Sequence, residues 1–303
     1  MPGAKGLANF IRARRYWLLF ILLIGLAYYA WGEVTKTRGA QVVEFQAASE
    51  QCATSGDLRY CVHQAQIGSN GDLLYHLHGR NLDEQIWNDD TYYTALLQAE
   101  WQRSGALPPT VVTVSYGPTW LLAPEGEQPA SGLLEDFIER LPEIEDAIGT
   151  PRRRLLLGES MGGLNVLVAG LTYPDRFNKI AALCPGVYDL SPFASFAAMK
   201  AAAERTGANP KVAFGIWMLA RDVFANEREW QQFSPLALIE QSDASYPGLY
   251  LSNGLYDSFG NFEGTQKLAQ IAQQRGVETE WRPLYGGHCS IDVSSLSAFL
   301  VSE

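Results

Sequence analysis

The 303-residue chain predicts an α/β architecture: a mostly parallel central sheet with helices on both faces. Two observations carry that prediction. Short apolar runs alternate with amphipathic stretches along most of the chain. Midway, Leu155-Leu156-Leu157 passes through Gly158-Glu159-Ser160-Met161-Gly162-Gly163 into Leu164-Asn165-Val166-Leu167-Val168-Ala169, which reads as a strand, a one-residue corner and a helix.

The chain begins with a basic segment, residues 1–15, in which Arg12, Arg14 and Arg15 precede an uncharged run from Tyr16 to Gly32. A basic flank before an apolar run predicts a signal peptide or a signal anchor. The run has 17 residues, the short end of a transmembrane span. Tyr16 and Trp17 at one end and Tyr28, Tyr29 and Trp31 at the other match interfacial aromatic belts. Cleavage would fall at Ala30-Trp31-Gly32, where bulky aromatics crowd the site, so the uncleaved anchor is favoured. The positive-inside rule then puts residues 1–15 in the cytoplasm and the body in the periplasm or outside the cell, secreted if the segment is cleaved.

Residues 33–50 read as a linker and 51–303 as one catalytic domain, a size that suits a single large α/β core. Strand-like runs recur at 58–66, 73–77, 111–116, 153–157, 180–184, 248–251 and 278–284. Helical spacing of Leu133, Leu134, Phe137, Ile138 and Leu141 predicts a helix before the corner strand. Residues 262–272 predict another, closed by Gly276. Residues 189–246 break the alternation with a helix-rich, aromatic stretch. A helical cap over the site and ordinary outer helices are equally open readings of it.

Hydrophobic residues make up 47% of the chain and charged residues 18%, which supports a sizeable core and excludes a disordered chain. Net charge is −10, with +5 in residues 1–38 and the rest acidic, which argues against nucleic acid as a partner. Four cysteines suit an oxidising compartment. Cys52 with Cys61, and Cys184 with Cys289, are the candidate pairs, and pairing stays open at this level.

A G-x-S-x-G between strand and helix is the nucleophile elbow of α/β-hydrolases. Its glycines are needed because a Cβ beside the sharp turn would collide with the neighbouring strand or helix. A serine needs a base, and the base needs an orienting carboxylate. In this fold the order is Ser, acid, His. Of four histidines only His288 follows Ser160, so His288 is the candidate base. Asp257, after the run 248–251 and Asn253-Gly254, is the candidate acid. Asp189 and Asp222 are rivals, Glu159 stands too close to the serine's own turn, and Asp175 reads as structural. Met161, the residue after the nucleophile, is a candidate oxyanion donor through its N–H. Arg80, after His78-Gly79 at the end of an early strand, is the second. His76 and His78, two apart, would face one way in a strand, but no third ligand accompanies them and no metal is expected. No cofactor is expected either.

The motifs YHLHG at 75–79, LLLGESMGG at 155–163, YPDRF at 173–177, LSNGLYDSFG at 251–260 and YGGHCS at 285–290 are similar to those of the esterase family that includes esterase D (S-formylglutathione hydrolase), feruloyl esterases and the antigen 85 mycolyltransferases. The resemblance covers about residues 70–302. It implies an α/β-hydrolase fold, Ser160 as nucleophile, Asp257 as acid, His288 as base, and Met161 and Arg80 as oxyanion donors. SYGPTWLLAP at 115–124 resembles the loop lining the family's acyl cleft, which implies Trp120 as a substrate contact. The chain departs from many relatives after His78-Gly79, where Arg80, Asn81 and Leu82 replace further glycine. The membrane run is not a family feature.

The leading expectation is therefore a serine carboxylester hydrolase acting through an acyl-enzyme on a small or polymer-borne ester, exported or tethered to a membrane. An acyltransferase of the antigen 85 type shares the chemistry up to deacylation. A non-catalytic binding protein on the same fold would have no need of the three residues in order.

Overall fold

The computed structural model describes residues 3–35, 43–241 and 245–303, and within 3–35 it describes side chains only at 14 and 16–32. The side chains of Arg12 and Arg15 of the basic flank, and residues 36–42 of the expected linker, lie outside what is described. The chain divides into two units, Met1–Val42 and Val43–Glu303. The described part of the first is a helix, α1 (Gly3–Thr35), whose side chains from Tyr16 to Gly32 are all exposed. Among the described residues no helix is long and apolar enough to cross a membrane.

The second unit is built on one eight-stranded sheet. Its strands are β1 (Ser49–Ser55), β2 (Leu58–Gln64), β3 (Leu73–Leu77), β4 (Thr110–Ser115), β5 (Arg154–Glu159), β6 (Lys179–Leu183), β7 (Gly248–Gly254) and β8 (Thr279–Leu284). They stand in the order β1-β2-β4-β3-β5-β6-β7-β8. The hairpin β1–β2 and the β2–β4 pair are antiparallel, and every other pair is parallel.

The central strands are apolar on both faces, as a covered parallel sheet requires. Alternation sorts their side chains. Leu155 and Leu157 join Ala181, Leu183 and Tyr250 on one face, under Leu97 and Trp101 of α2 (Tyr93–Ser104) and Leu296 and Leu300 of α10 (Val293–Val301). Leu156 joins Ile180, Ala182 and Leu251 on the other. There Leu134 and Phe137 of α3 (Leu133–Ile148), Val166 and Leu167 of α4 (Met161–Thr172), and Leu268 of α9 (Phe262–Gln274) complete the core.

Each of the seven expected strands is present, with ends shifted by a few residues. The edge strand β1 was not expected: all but one of its residues are exposed, so it carries no apolar period. Part of the expected linker and of the loop holding Cys52 is therefore strand. Cys52 faces Cys61 directly across the β1–β2 hairpin, and the two form a disulfide.

The segment 189–246 contains α5 (Phe196–Thr206), α6 (Pro210–Val223), α7 (Glu227–Phe233) and α8 (Pro235–Gln241). They behave differently. Helix α8 packs on α4 and α9, as an outer layer of the fold. Helix α5 buries no side chain, and α6 buries only Ala220 and Val223. Both line a cavity of ≈ 600 Å³ that also exposes Ser160 and His288.

Candidate active site

The site lies beyond the carboxyl ends of the parallel strands, where open α/β sheets collect functional loops. Ser160 follows β5 with φ 56° and ψ −114°, a left-handed conformation disfavoured for a residue with a Cβ. Its N–H donates to Leu183 O at 2.9 Å, which ties the corner to β6. The glycines around it are required by contact. A Cβ on Gly162 would overlap the Leu77 carbonyl, and one on Gly158 would overlap the backbone of Gly162.

The structure brings Ser160, His288 and Asp257 together. His288 Nε2 lies 2.9 Å from Ser160 Oγ, and its Nδ1 lies 2.7 Å from Asp257 Oδ2. The Asp257 side chain is fully buried, whereas that of His288 is 23% exposed toward the cavity. Asp257 Oδ1 accepts the Phe259 N–H at 2.8 Å, so the carboxylate is held on both oxygens. The Phe259 ring stacks on the imidazole, centroids 3.9 Å apart and 19° from parallel. Gly254, at the end of β7, leaves room for the Gly286 and Gly287 carbonyls that a Cβ would strike. The loop carrying His288 is tied again by the disulfide from Cys289 to Cys184, just past β6. Rival acids are elsewhere: Asp189 pairs with Lys267, Asp222 lines the cavity wall, and Asp175 sits in the turn after α4.

Met161 opens α4, where the first N–H groups have no acceptor within the helix. It lines the cavity beside Ser160. Arg80 lines the same cavity from the other side of the elbow. Its neighbours are bonded: Gly79 N–H to Glu159 Oε1 at 2.6 Å and Asn81 N–H to Pro118 O at 2.7 Å.

Trp120 is not where the resemblance puts it. It is 4% exposed and outside the cavity wall, with its ring edge-on to His78 and Tyr116. Its backbone braces the site, its N–H donating to Met161 Sδ at 3.3 Å and its carbonyl accepting from Asn165. The adjacent Thr119 and Leu121 face the cavity. Chain alternation through this loop explains the exchange.

His76 and His78 do not share a site. His78 Nδ1 bonds Gly79 O at 2.8 Å and its Nε2 bonds Ser115 Oγ at 2.8 Å, and burial holds its pKa below the usual imidazole range. His76 Nε2 lies 2.9 Å from Glu159 Oε2. Among the described residues, the convergent ligand-type groups are Cys184–His288–Cys289 and Glu50–Cys52–Cys61, and each contains a disulfide whose sulfurs offer no thiolate to a metal.

The Cys184–Cys289 tether closes one of the two candidate pairs, while two features had no place in the sequence reading: Phe259 against the imidazole and the buried partners of Glu159. The last left a trace, since Glu159 is the only acid in an otherwise apolar strand end.

Comparison with known proteins fits this geometry. The chain superposes on a ferulic acid esterase with 19% identity and a TM-score of 0.57, covering 85% of this chain and 96% of that one. It superposes on an arylesterase with 17% identity and a TM-score of 0.60, covering 90% and 95%. For a hyperthermophilic esterase from the archaeon Pyrobaculum calidifontis the values are 17%, 0.58, 85% and 86%. At these identities the likeness is one of fold. No curated protein matches the sequence. The profile of the family described as "Putative esterase" matches residues 56–291. With that match spanning most of the chain, on an α/β-hydrolase sheet, the protein belongs to this esterase family and is a hydrolase of the carboxylesterase type.

Proposed function

We propose that the protein is a serine carboxylester hydrolase working through an acyl-enzyme on esters with a bulky apolar part. The observation that carries this is the unbroken chain Asp257–His288–Ser160, with bonds of 2.7 and 2.9 Å, opening into the cavity. His288 takes the hydroxyl proton as Ser160 attacks the ester carbonyl, and the buried Asp257 carboxylate orients the ring and stabilises its charged form. The Met161 and Arg80 N–H groups meet the negative oxygen of the tetrahedral intermediate. His288 then protonates the leaving alcohol and activates the water that releases the acid.

The cavity wall supports the apolar substrate. Leu164, Met199, Val212, Ile216, Trp217 and Phe233 form much of it, and its size falls within the range of small-molecule sites. The half-exposed faces of α5 and α6 gain from covering apolar substrate at ~25 cal/mol per Å². These two helices act as a cap, while α7 and α8 belong to the body.

The reading includes a tether. The arginines before Tyr16, the uncharged exposed run to Gly32 and its terminal aromatics support attachment to a membrane, with the catalytic unit outside the cytoplasm. Carbonate-washed membranes that retain the protein, with the catalytic unit protected from a protease added on the cytoplasmic side, are the expected result. Release into the soluble fraction in uncleaved form would refute the tether alone.

The catalytic reading is tested with the full chain in detergent on p-nitrophenyl esters of two to sixteen carbons, beside Ser160→Ala. Activity that rises with chain length and disappears in the variant is expected. Equal rates in the two proteins refute the nucleophile, and a rate falling steadily from acetate refutes the apolar substrate.

A further inference from the structure

The carboxylate of Glu159 is enclosed in a way the serine relay does not explain. Its side chain is 2% exposed at the end of β5, one residue before Ser160. Four donors reach it. Oε1 accepts the Gly79 N–H at 2.6 Å and the Tyr92 hydroxyl at 2.9 Å. Oε2 accepts the Tyr93 hydroxyl at 2.9 Å and faces His76 Nε2 at 2.9 Å. Burying a carboxylate costs several kcal/mol before its partners compensate. The preceding residues of β5, Leu155, Leu156 and Leu157, are apolar and fully buried, so stability alone does not call for an acid here.

One of the four donors is the backbone N–H of Gly79, in the loop that carries Arg80. Gly79, with no Cβ, is the freest residue of the loop after β3. Glu159 fixes it through its N–H. His78 fixes its carbonyl, which accepts from Nδ1–H while Nε2 accepts from Ser115, an assignment that follows from the hydrogen-bond network. That carbonyl belongs to the same planar peptide as the Arg80 N–H, so holding one end points the other away from it. Gly79 and Asn81 N–H both have protein acceptors, and among the described residues the Arg80 N–H between them has none.

We propose that Glu159 is a positioning residue for the oxyanion hole: it ties the His78–Gly79 peptide to the elbow through the Gly79 N–H, while His78 holds the carbonyl of the next peptide, so that the Arg80 N–H stays aimed at the developing oxyanion. The inference rests on the serine esterase reading. Its physical basis is preorganisation: a donor fixed in advance costs no reorganisation in the transition state. Because β5 delivers Ser160 and Glu159 as consecutive residues, one strand end sets both the nucleophile and the donor that serves it. Burial opposes the charge on Glu159, but His76 and the surrounding donors outweigh it and hold the carboxyl below its usual range.

Glu159→Gln keeps the shape and removes the charge. It is expected to lower kcat by about 10- to 100-fold, the scale of a weakened oxyanion donor, with KM within about threefold. The Ki of an alkyl trifluoromethyl ketone, which forms an oxyanion on the serine, should rise by the same factor as kcat falls. A merely structural role would lower the melting temperature without moving kcat and Ki together. Tyr92→Phe, at a half-buried position, removes one donor from Oε1 and should shift both values the same way by about two- to fivefold, which keeps the test informative if Glu159→Gln does not fold. Full kcat in a folded Glu159→Gln, or in Tyr92→Phe if only that variant folds, overturns the inference, as does a loss of kcat with unchanged Ki. If Ser160→Ala also keeps full activity, the esterase reading itself has failed.

Discussion

Two histidine–carboxylate pairs lie on either side of one strand end, and they differ in almost everything except their chemistry. His288 and Asp257 are joined at 2.7 Å, His76 and Glu159 at 2.9 Å. In the first, the imidazole is partly open to a cavity and its second nitrogen meets a serine hydroxyl. In the second, both partners are buried, two tyrosines close the carboxylate, and the second nitrogen of the ring meets only Thr113 at 3.4 Å. A histidine beside a carboxylate is thus not by itself a catalytic base. What separates the two pairs is access: one opens onto the Ser160 hydroxyl, and the other is enclosed.

Four substitutions break or sharpen that contrast. The largest effect is expected from Asp257→Asn, which leaves His288 without its anionic partner. Ester hydrolysis should fall by roughly four orders of magnitude with little change in KM. A drop of less than tenfold would mean that the open pair does not work as a relay. The same chemical change on the enclosed pair, Glu159→Gln, should cost about 10- to 100-fold. If the two amides cost the same, the distinction between base and brace collapses.

A smaller effect is expected at Phe259, which stacks on the open imidazole but has no counterpart of its kind in the relay. Removing an aromatic contact of that sort in Phe259→Ala should lower kcat by about three- to tenfold and broaden the His288 side-chain resonance by nuclear magnetic resonance. An unchanged rate would leave the ring as packing alone.

The smallest catalytic effect belongs to His63, behind the enclosed pair. It is buried with Nδ1 3.5 Å from Glu50 Oε2, and burial, helped by the nearby His76 and opposed by the Glu84 backbone, pulls its pKa down to about 4. The unfolded chain binds a proton near pH 6.5 and the folded chain does not until near pH 4. Stability from this group is therefore complete above pH 6.5 and falls as pH drops toward 4. The loss is on the order of 3 kcal/mol. His63→Leu should flatten denaturant stability over that window and leave kcat at pH 7.5 unchanged. A wild-type slope in the variant would assign the acid sensitivity to other groups.

Much of this was legible in the chain. Seven of eight strands announce themselves by apolar runs, because a sheet covered on both faces needs them. Ser160, Asp257 and His288 follow from a turn that only glycine-flanked serine makes and from an order fixed by the fold. The edge strand β1 was hidden because an exposed strand has no reason to alternate. Trp120 was misplaced because the resemblance points to the loop and not to which of its alternating residues faces the cavity.

The sequence by itself determined seven of the eight strands, the elbow and the order of Ser160, Asp257 and His288, which the structure brings within bonding distance, since each rests on local pattern or chain order. Tertiary structure decided which side chains turn toward the cavity. It buried Trp120, brought Phe259 onto His288, set α5 and α6 along the cavity and α8 against α4 and α9, and closed Cys184 onto Cys289 across 105 residues. It also made Glu159 the centre of four bonds drawn from two other segments, 76–79 and 92–93. The physical reason is common to all of these: they depend on distances between parts of the chain that meet only when the sheet is assembled.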